Sequence, residues 1–139
     1  MQANQTYSLV TLDIDGTMIG EDRLVKPELV EAIQRVQNTG AMVSVSTGRT
    51  FKPALRIAEQ AGTAGPVICF QGAMTYDQLT KKTIRHERLD QDVTSKAIIA
   101  LVSVVPEVMM FLGDDVWVEK RSEWTNAYGE RMGIAIRDT

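Results

Sequence analysis

Leu9-Val10-Thr11-Leu12-Asp13-Ile14-Asp15-Gly16-Thr17 runs from an apolar stretch into two carboxylates and a glycine turn. The opening residues suit a buried strand, and a strand turns residues i and i+2 to the same side. Asp13 and Asp15 therefore converge at the strand's carboxyl end, the edge where open parallel α/β sheets bind ligands. Two close carboxylates repel each other unless a cation or a proton sits between them. Mg²⁺ meets that need, because it accepts one or two carboxylates together with phosphate oxygens and water. The plainer reading is a polar strand end running into an ordinary Asp-Gly turn. The apolar run before the motif and the Gly-Thr after it favour phosphoryl chemistry.

Outward from this stretch, Tyr7 to Asp13 reads as a strand in a sheet covered on both faces. Pro27 opens a helix that carries Leu29, Val30, Ile33 and Val36 at helical spacing and closes at Gly40. Ala41 to Ser46 is a second strand. Thr50 caps a second helix with Pro53 in its first turn and an apolar stripe of Leu55, Ala58 and Ala61, ending at Gly62. Pro66 to Phe70 is a third strand. This β-α-β-α-β order with short connections predicts a parallel sheet with helices on its faces.

The order changes after Phe70. Gln71-Gly72-Ala73 reads as a turn, and Met74–Tyr76 and Thr83–Glu87 as a hairpin. A helix beginning at Asp92 or Thr94 would carry Ala97, Leu101 and Val104 on one face. Val108–Leu112 and Val116–Glu119 suggest a second hairpin turning at Gly113-Asp114-Asp115. Trp124–Met132 reads as a helix and Gly133–Arg137 as the start of a strand. Alternating α/β order thus gives way to α+β order near residue 80.

The chain has 139 residues, 44% of them hydrophobic, which suits one ordinary globular domain. Its formal charge of -3 (15 Lys+Arg against 18 Asp+Glu) gives no basic excess for nucleic acid or an anionic membrane. The single cysteine, Cys69, lies within Val67-Ile68-Cys69-Phe70 and reads as a buried core thiol. No apolar run approaches membrane-spanning length. The polar start Met1–Thr6 lacks the charged beginning and apolar core of a signal peptide, which predicts a cytoplasmic protein.

A second motif closes the second strand: Val43-Ser44-Val45-Ser46-Thr47-Gly48-Arg49. A strand beside the first would bring Thr47 near the two aspartates. A Thr hydroxyl and the N–H groups of a Gly turn can hold phosphate oxygens, and Arg49 can add a cationic contact. Taken alone, the segment is better read as a strand entering a helix cap, with Arg49 in solvent. Its spacing one βαβ unit after Asp13-Ile14-Asp15-Gly16-Thr17 favours the site.

Together, Leu12–Thr17 and Ser46-Thr47-Gly48-Arg49 resemble the first two motifs of the haloacid dehalogenase (HAD) superfamily of phosphohydrolases. Pro66-Val67-Ile68-Cys69-Phe70-Gln71-Gly72-Ala73-Met74-Thr75-Tyr76-Asp77 is similar to a passage of its Cof-type subfamily, with Gln71 where Asn is usual. The resemblance implies an α/β fold: a Rossmann-like parallel core over residues 1–80 and part of an α+β cap over 81–139. It implies Mg²⁺-dependent phosphatase action on a small phosphorylated metabolite such as a sugar phosphate. Asp13 would be the nucleophile that takes the phosphoryl group and, through its carboxylate, a metal ligand. Asp15 would be the acid and base, with its backbone carbonyl on the metal. Thr47 would hold phosphoryl oxygens, Gly16 would supply a turn N–H, and Gly48 and Arg49 would complete the phosphate-binding loop.

The subfamily's Lys and second acidic motif follow the cap, so the chain reads as the N-terminal part of a protein about twice as long. The expected fragment is inactive or weakly active, with an exposed sheet edge prone to self-association. One alternative is a complete capless enzyme using Asp114 and Asp115 as the second acidic motif, with Lys81, Lys82 or Lys96 as its Lys. Against it, Asp115 runs into the alternating Val116-Trp117-Val118-Glu119, where a capless enzyme needs a helix. Another alternative is a non-catalytic α/β module that binds phosphate or regulates. His86 reads as a solvated strand residue, Trp117 and Trp124 as packing residues of the cap, and Met109-Met110 as core.

Overall fold

The computed structural model describes residues 7–138, so the polar start at 1–6 and Thr139 lie outside the described residues. Two compact units divide after His86. The first begins with β1 (Leu9–Leu12), α1 (Pro27–Gln37), β2 (Met42–Ser46), α2 (Phe51–Ala61) and β3 (Val67–Cys69). A tight turn at Phe70–Gly72 leads into the hairpin β4 (Met74–Asp77) and β5 (Lys82–His86). Sheet order is β1-β2-β3-β4-β5. β1, β2 and β3 run parallel, in the register Leu12↔Val45 and Ser46↔Ile68, while β4 and β5 are antiparallel. The boundary read at residue 80 falls inside the β4–β5 hairpin, and backbone pairing keeps β5 with the first unit.

Each element follows from its sequence. Pro27 sits in the first turn of α1, where a missing N–H costs nothing. The α1 stripe packs Leu29, Ile33 and Val36 into the core. Gly62 ends α2 in the left-handed conformation (φ 70°), which glycine adopts without steric cost. Ile57, Ala58 and Ala61 of α2 close over Val43, Val45 and Val67 of the sheet, and Cys69 is fully buried with them.

The first strand departs from its reading. β1 is not covered on both faces among the described residues: Leu9 is 54% exposed and its strand alternates between exposed and half-buried. As the terminal strand of the sheet, it pairs only with β2 among the described residues. A continuous apolar run signals burial without saying which neighbour provides it.

The second unit holds α3 (Gln91–Val102), β6 (Met110–Leu112), β7 (Asp115–Val118), α4 (Glu123–Met132) and β8 (Ile136–Asp138). β6 and β7 are antiparallel, and β8 joins β7 in parallel. Val116, Val118 and Ile136 form its core, with Met109, Tyr128 and Ile134 packed against them. Asp90 rather than Asp92 or Thr94 caps α3, its carboxylate accepting from the Asp92 N–H at 2.8 Å. The expected apolar face of α3 is not buried: Leu101 is exposed, and Val104 lies beyond the helix end. Trp124, expected to be a packing residue, is 56% exposed and stacks on Tyr128 with ring centroids 5.7 Å apart. The last strand begins at Ile136 rather than Gly133, because Gly133 (φ 68°) closes α4.

Candidate active site

The site grows out of the end of β1. The two-residue alternation of the strand continues past Leu12, leaving Asp13 exposed, Ile14 fully buried and Asp15 exposed. Ile14 anchors the turn. Its carbonyl accepts from the N–H groups of Thr17 (3.3 Å), Met18 (2.9 Å) and Ile19 (3.0 Å), and Met18 and Ile19 bury beside it. Gly16 takes φ 77° and donates its N–H to the Ile19 carbonyl at 2.9 Å. Its part is therefore the left-handed turn, with its N–H engaged inside the loop.

The loop after β2 ends at the same edge, because β1 and β2 are parallel neighbours. Extending the register Leu12↔Val45 puts Asp13 level with Ser46, one residue before Thr47. The Thr47 N–H extends the β2–β3 ladder to the Ile68 carbonyl at 2.9 Å. The Thr47 hydroxyl oxygen is buried and accepts from the Arg49 N–H at 3.3 Å, which leaves the hydroxyl proton as a donor. Thr50 precedes α2 but makes no side-chain cap; its hydroxyl is buried without a hydrogen-bond partner.

Arg49 is the feature that composition could not place. It is only 4% exposed and forks onto Asp15, with Nε 2.9 Å from Oδ2 and Nη2 2.7 Å from Oδ1. The sequence reading gave Arg49 a contact to a bound phosphate; in this structure its fork lies on Asp15, the second carboxylate of the first motif. This pair ties the end of β1 to the end of β2 across 34 residues.

A third loop joins from β3. Phe70, Gln71 and Gly72 take φ 51°, 54° and 93° in succession. The Phe70 N–H donates to the Arg49 carbonyl at 2.9 Å. The Gln71 amide lies against Gly48, where an added Cβ would come within 2.9 Å of Gln71 Cδ. Sequence reasoning saw the Gln71-Gly72 turn but not its contact with the second motif. The signal available was a side chain in place of Asn, the residue that most readily accepts a left-handed backbone.

Magnesium fits this donor set only in its sparse form. Among the described residues no group of three or more His, Cys, Asp or Glu side chains could hold a metal. Mg²⁺ needs only one or two carboxylates with phosphate and water. Asp13 at the strand end offers a carboxylate; Asp15, its carboxylate held by Arg49, would contribute its backbone carbonyl.

Asp114 and Asp115 belong to the β6–β7 hairpin of the second unit. Asp115 pairs with Arg137 (Oδ2 to Nε, 2.7 Å), and β7 follows where the capless reading needs a helix. An open cleft of about 690 Å³ within that unit is lined by Ile98, Val102, Met110 and Trp117.

The family model of haloacid dehalogenase-like hydrolases matches residues 10–136. The chain belongs to this family. It is 28% identical over 117 residues to the 5-amino-6-(5-phospho-D-ribitylamino)uracil phosphatase YitU of Bacillus subtilis (strain 168), covering 83% of this chain and 43% of that one. It is 36% identical over 67 residues to a phosphoglycolate phosphatase of Methanopyrus kandleri, covering 48% of this chain and 29% of the relative. A haloacid dehalogenase-like hydrolase of Bacteroides thetaiotaomicron superposes with a TM-score of 0.80 at 18% identity, over 96% of this chain and 52% of that one. That last likeness shows the fold. The chain spans less than half the length of these curated relatives and about half of the solved structure. No helix among the described residues is long and apolar enough to cross a membrane.

Proposed function

We propose that the protein is a Mg²⁺-dependent phosphatase acting on a small phosphomonoester through an aspartyl-phosphate on Asp13. The observation that carries this reading is the junction of the loops after β1 and β2, tied by the Asp15–Arg49 fork at the carboxyl end of three parallel strands. Family membership supports it, as do the phosphatase names of the relatives.

In the first half-reaction an Asp13 carboxylate oxygen bonds to phosphorus while the bond from phosphorus to the leaving oxygen breaks. Asp15, paired as a carboxylate with Arg49, takes up a proton before this step and gives it to that oxygen, releasing an alcohol. In the second, a water oxygen bonds to phosphorus, Asp15 takes its proton, and the Asp13–phosphorus bond breaks to free phosphate. Dividing one displacement into two lowers each barrier. The Thr47 hydroxyl and the Gly48 turn donate to the equatorial oxygens, where charge develops. Magnesium, held by the Asp13 carboxylate and the Asp15 carbonyl, would neutralise phosphoryl charge.

The substrate class follows the relatives, which act on a phosphorylated ribitylaminouracil and on phosphoglycolate. The test is phosphate release from p-nitrophenyl phosphate by the full-length protein with Mg²⁺, beside Asp13→Asn. The expected result is a loss of about 10³-fold or more, with the fold retained. Chelation of the metal should lower the rate comparably. Equal turnover by the two forms would overturn the nucleophile. Absence of turnover in both, with inorganic phosphate still bound, would give the binding module instead.

A further inference from the structure

We infer that Arg49 is a positioning residue for Asp15 and not a ligand of the transferred phosphoryl group. The inference rests on the phosphatase reading above and assigns a part that the motif alone leaves open. A buried guanidinium must find a countercharge and hydrogen bonds. Arg49 finds both in one carboxylate, through the Nε and Nη2 edge of its fork. That edge is one of the two an arginine can offer to a phosphate, and here both of its N–H groups are committed to Asp15. Two parallel hydrogen bonds set the plane of a carboxylate where one would leave it free to rotate. Asp15 nevertheless remains 45% exposed on its side chain, open to a leaving oxygen or a water.

The guanidinium starts from a fixed backbone. The Arg49 N–H is held by the Thr47 hydroxyl, and its carbonyl by the Phe70 N–H. Phe70 and Gln71 hold left-handed conformations that cost energy for residues with a Cβ. Such strain persists where surrounding structure over-determines it, and here it places the Phe70 N–H on Arg49 and the Gln71 amide on Gly48. The turn after β3 thus fixes the loop after β2, and Arg49 passes that placement to the acid and base on β1.

The two roles of Arg49 separate by leaving group. p-Nitrophenolate leaves without needing a proton, whereas an alkoxide needs one. Arg49→Met and Arg49→Lys in the full-length protein are to be compared on p-nitrophenyl phosphate and β-glycerophosphate. The expected result for Arg49→Met is a fall in kcat of about 100-fold on β-glycerophosphate, the scale of general acid catalysis, and of about 3-fold or less on p-nitrophenyl phosphate. KM should be unchanged on both, and Arg49→Lys should recover part of the loss. An equal fall on both substrates with raised KM would overturn the inference in favour of a phosphate contact. Failure of the unsubstituted protein to hydrolyse either ester would count against the phosphatase reading itself. A crystal of the unsubstituted protein soaked in inorganic phosphate decides the point without any variant. The guanidinium is expected to stay on Asp15, and a fork transferred to the anion would overturn the assignment.

Discussion

The two units use comparable strand lengths to different ends. In the first, two helices close over a sheet whose inward side chains, Val43, Val45 and Val67, are almost wholly buried. In the second, Val116, Val118 and Ile136 carry the core, and α3 buries no residue completely. The motif residues belong to the first. A loop positioned to less than an ångström needs an anchored frame, and Ile14, wedged between the two aspartates at 0% exposure, supplies it. The second unit's charged turn rests on a surface ion pair, which fixes little. The contrast teaches that depth of packing, more than the presence of carboxylates, distinguishes Asp13-Ile14-Asp15 from Gly113-Asp114-Asp115.

The largest test of that contrast is a pair of truncations. Ile14→Ala should cost about 4 kcal/mol and Ile136→Ala about 2 kcal/mol, because the smaller cluster relaxes more readily. Denaturant unfolding, with amide exchange to assign each unit, measures both; equal costs would break the comparison. Close approach gives a second pair. An added Cβ at Gly65 would lie 2.6 Å from the backbone oxygen of Val43, whereas at Gly129 it would lie 2.6 Å from the Ile136 Cγ1 side-chain atom. Gly65→Ala should therefore cost about 3 kcal/mol by overpacking against backbone that cannot yield. Gly129→Ala should cost less, about 2 kcal/mol, since its nearest obstacle is a side chain and alanine favours the helix, although the Ile134 carbonyl oxygen also lies 3.1 Å away.

Helix caps reverse the ranking. Ser122 and Thr125 form a reciprocal capping box at α4, whereas the Thr50 hydroxyl at α2 is buried without a partner. Ser122→Ala should lose about 1 kcal/mol. Thr50→Val should change stability by less than about 0.5 kcal/mol, because it removes an unpaired hydroxyl at nearly constant shape. Thermal melts of the two variants sharpen the contrast. The smallest effect concerns pH at the β4–β5 turn. The Thr80 hydroxyl and then the Leu79 N–H hold the Asp77 carboxyl below its ordinary 3.8. A lowered value means that the carboxylate's contribution is complete above pH 3.8 and is lost as the pH falls through the lowered value. Amide exchange in the hairpin should quicken only in that acid range, and Asp77→Asn should remove the dependence.

Much of the fold is legible locally. Pro27, Gly62 and Gly133 mark helix boundaries through backbone restrictions that act whatever the neighbours are. The D-x-D spacing at Asp13 and Asp15 and the strand before it are likewise local. Leu101 and Trp124 were misplaced because a hydrophobic side chain states a preference for burial without naming the surface that supplies it. That β5 belongs with the first unit is likewise decided by strand pairing, a relation between segments.

What the sequence determined by itself is the set of elements, the two motifs and the order in which strands and helices alternate, since periodicity, proline and glycine act over a few bonds. What only the tertiary structure decided is the partner of each polar group. The Arg49 guanidinium lies on Asp15 and the Phe70 N–H on the Arg49 carbonyl. Hydrogen bonds reach only about 3 Å, so which groups meet depends on the parallel register that brings three distant loops to one edge.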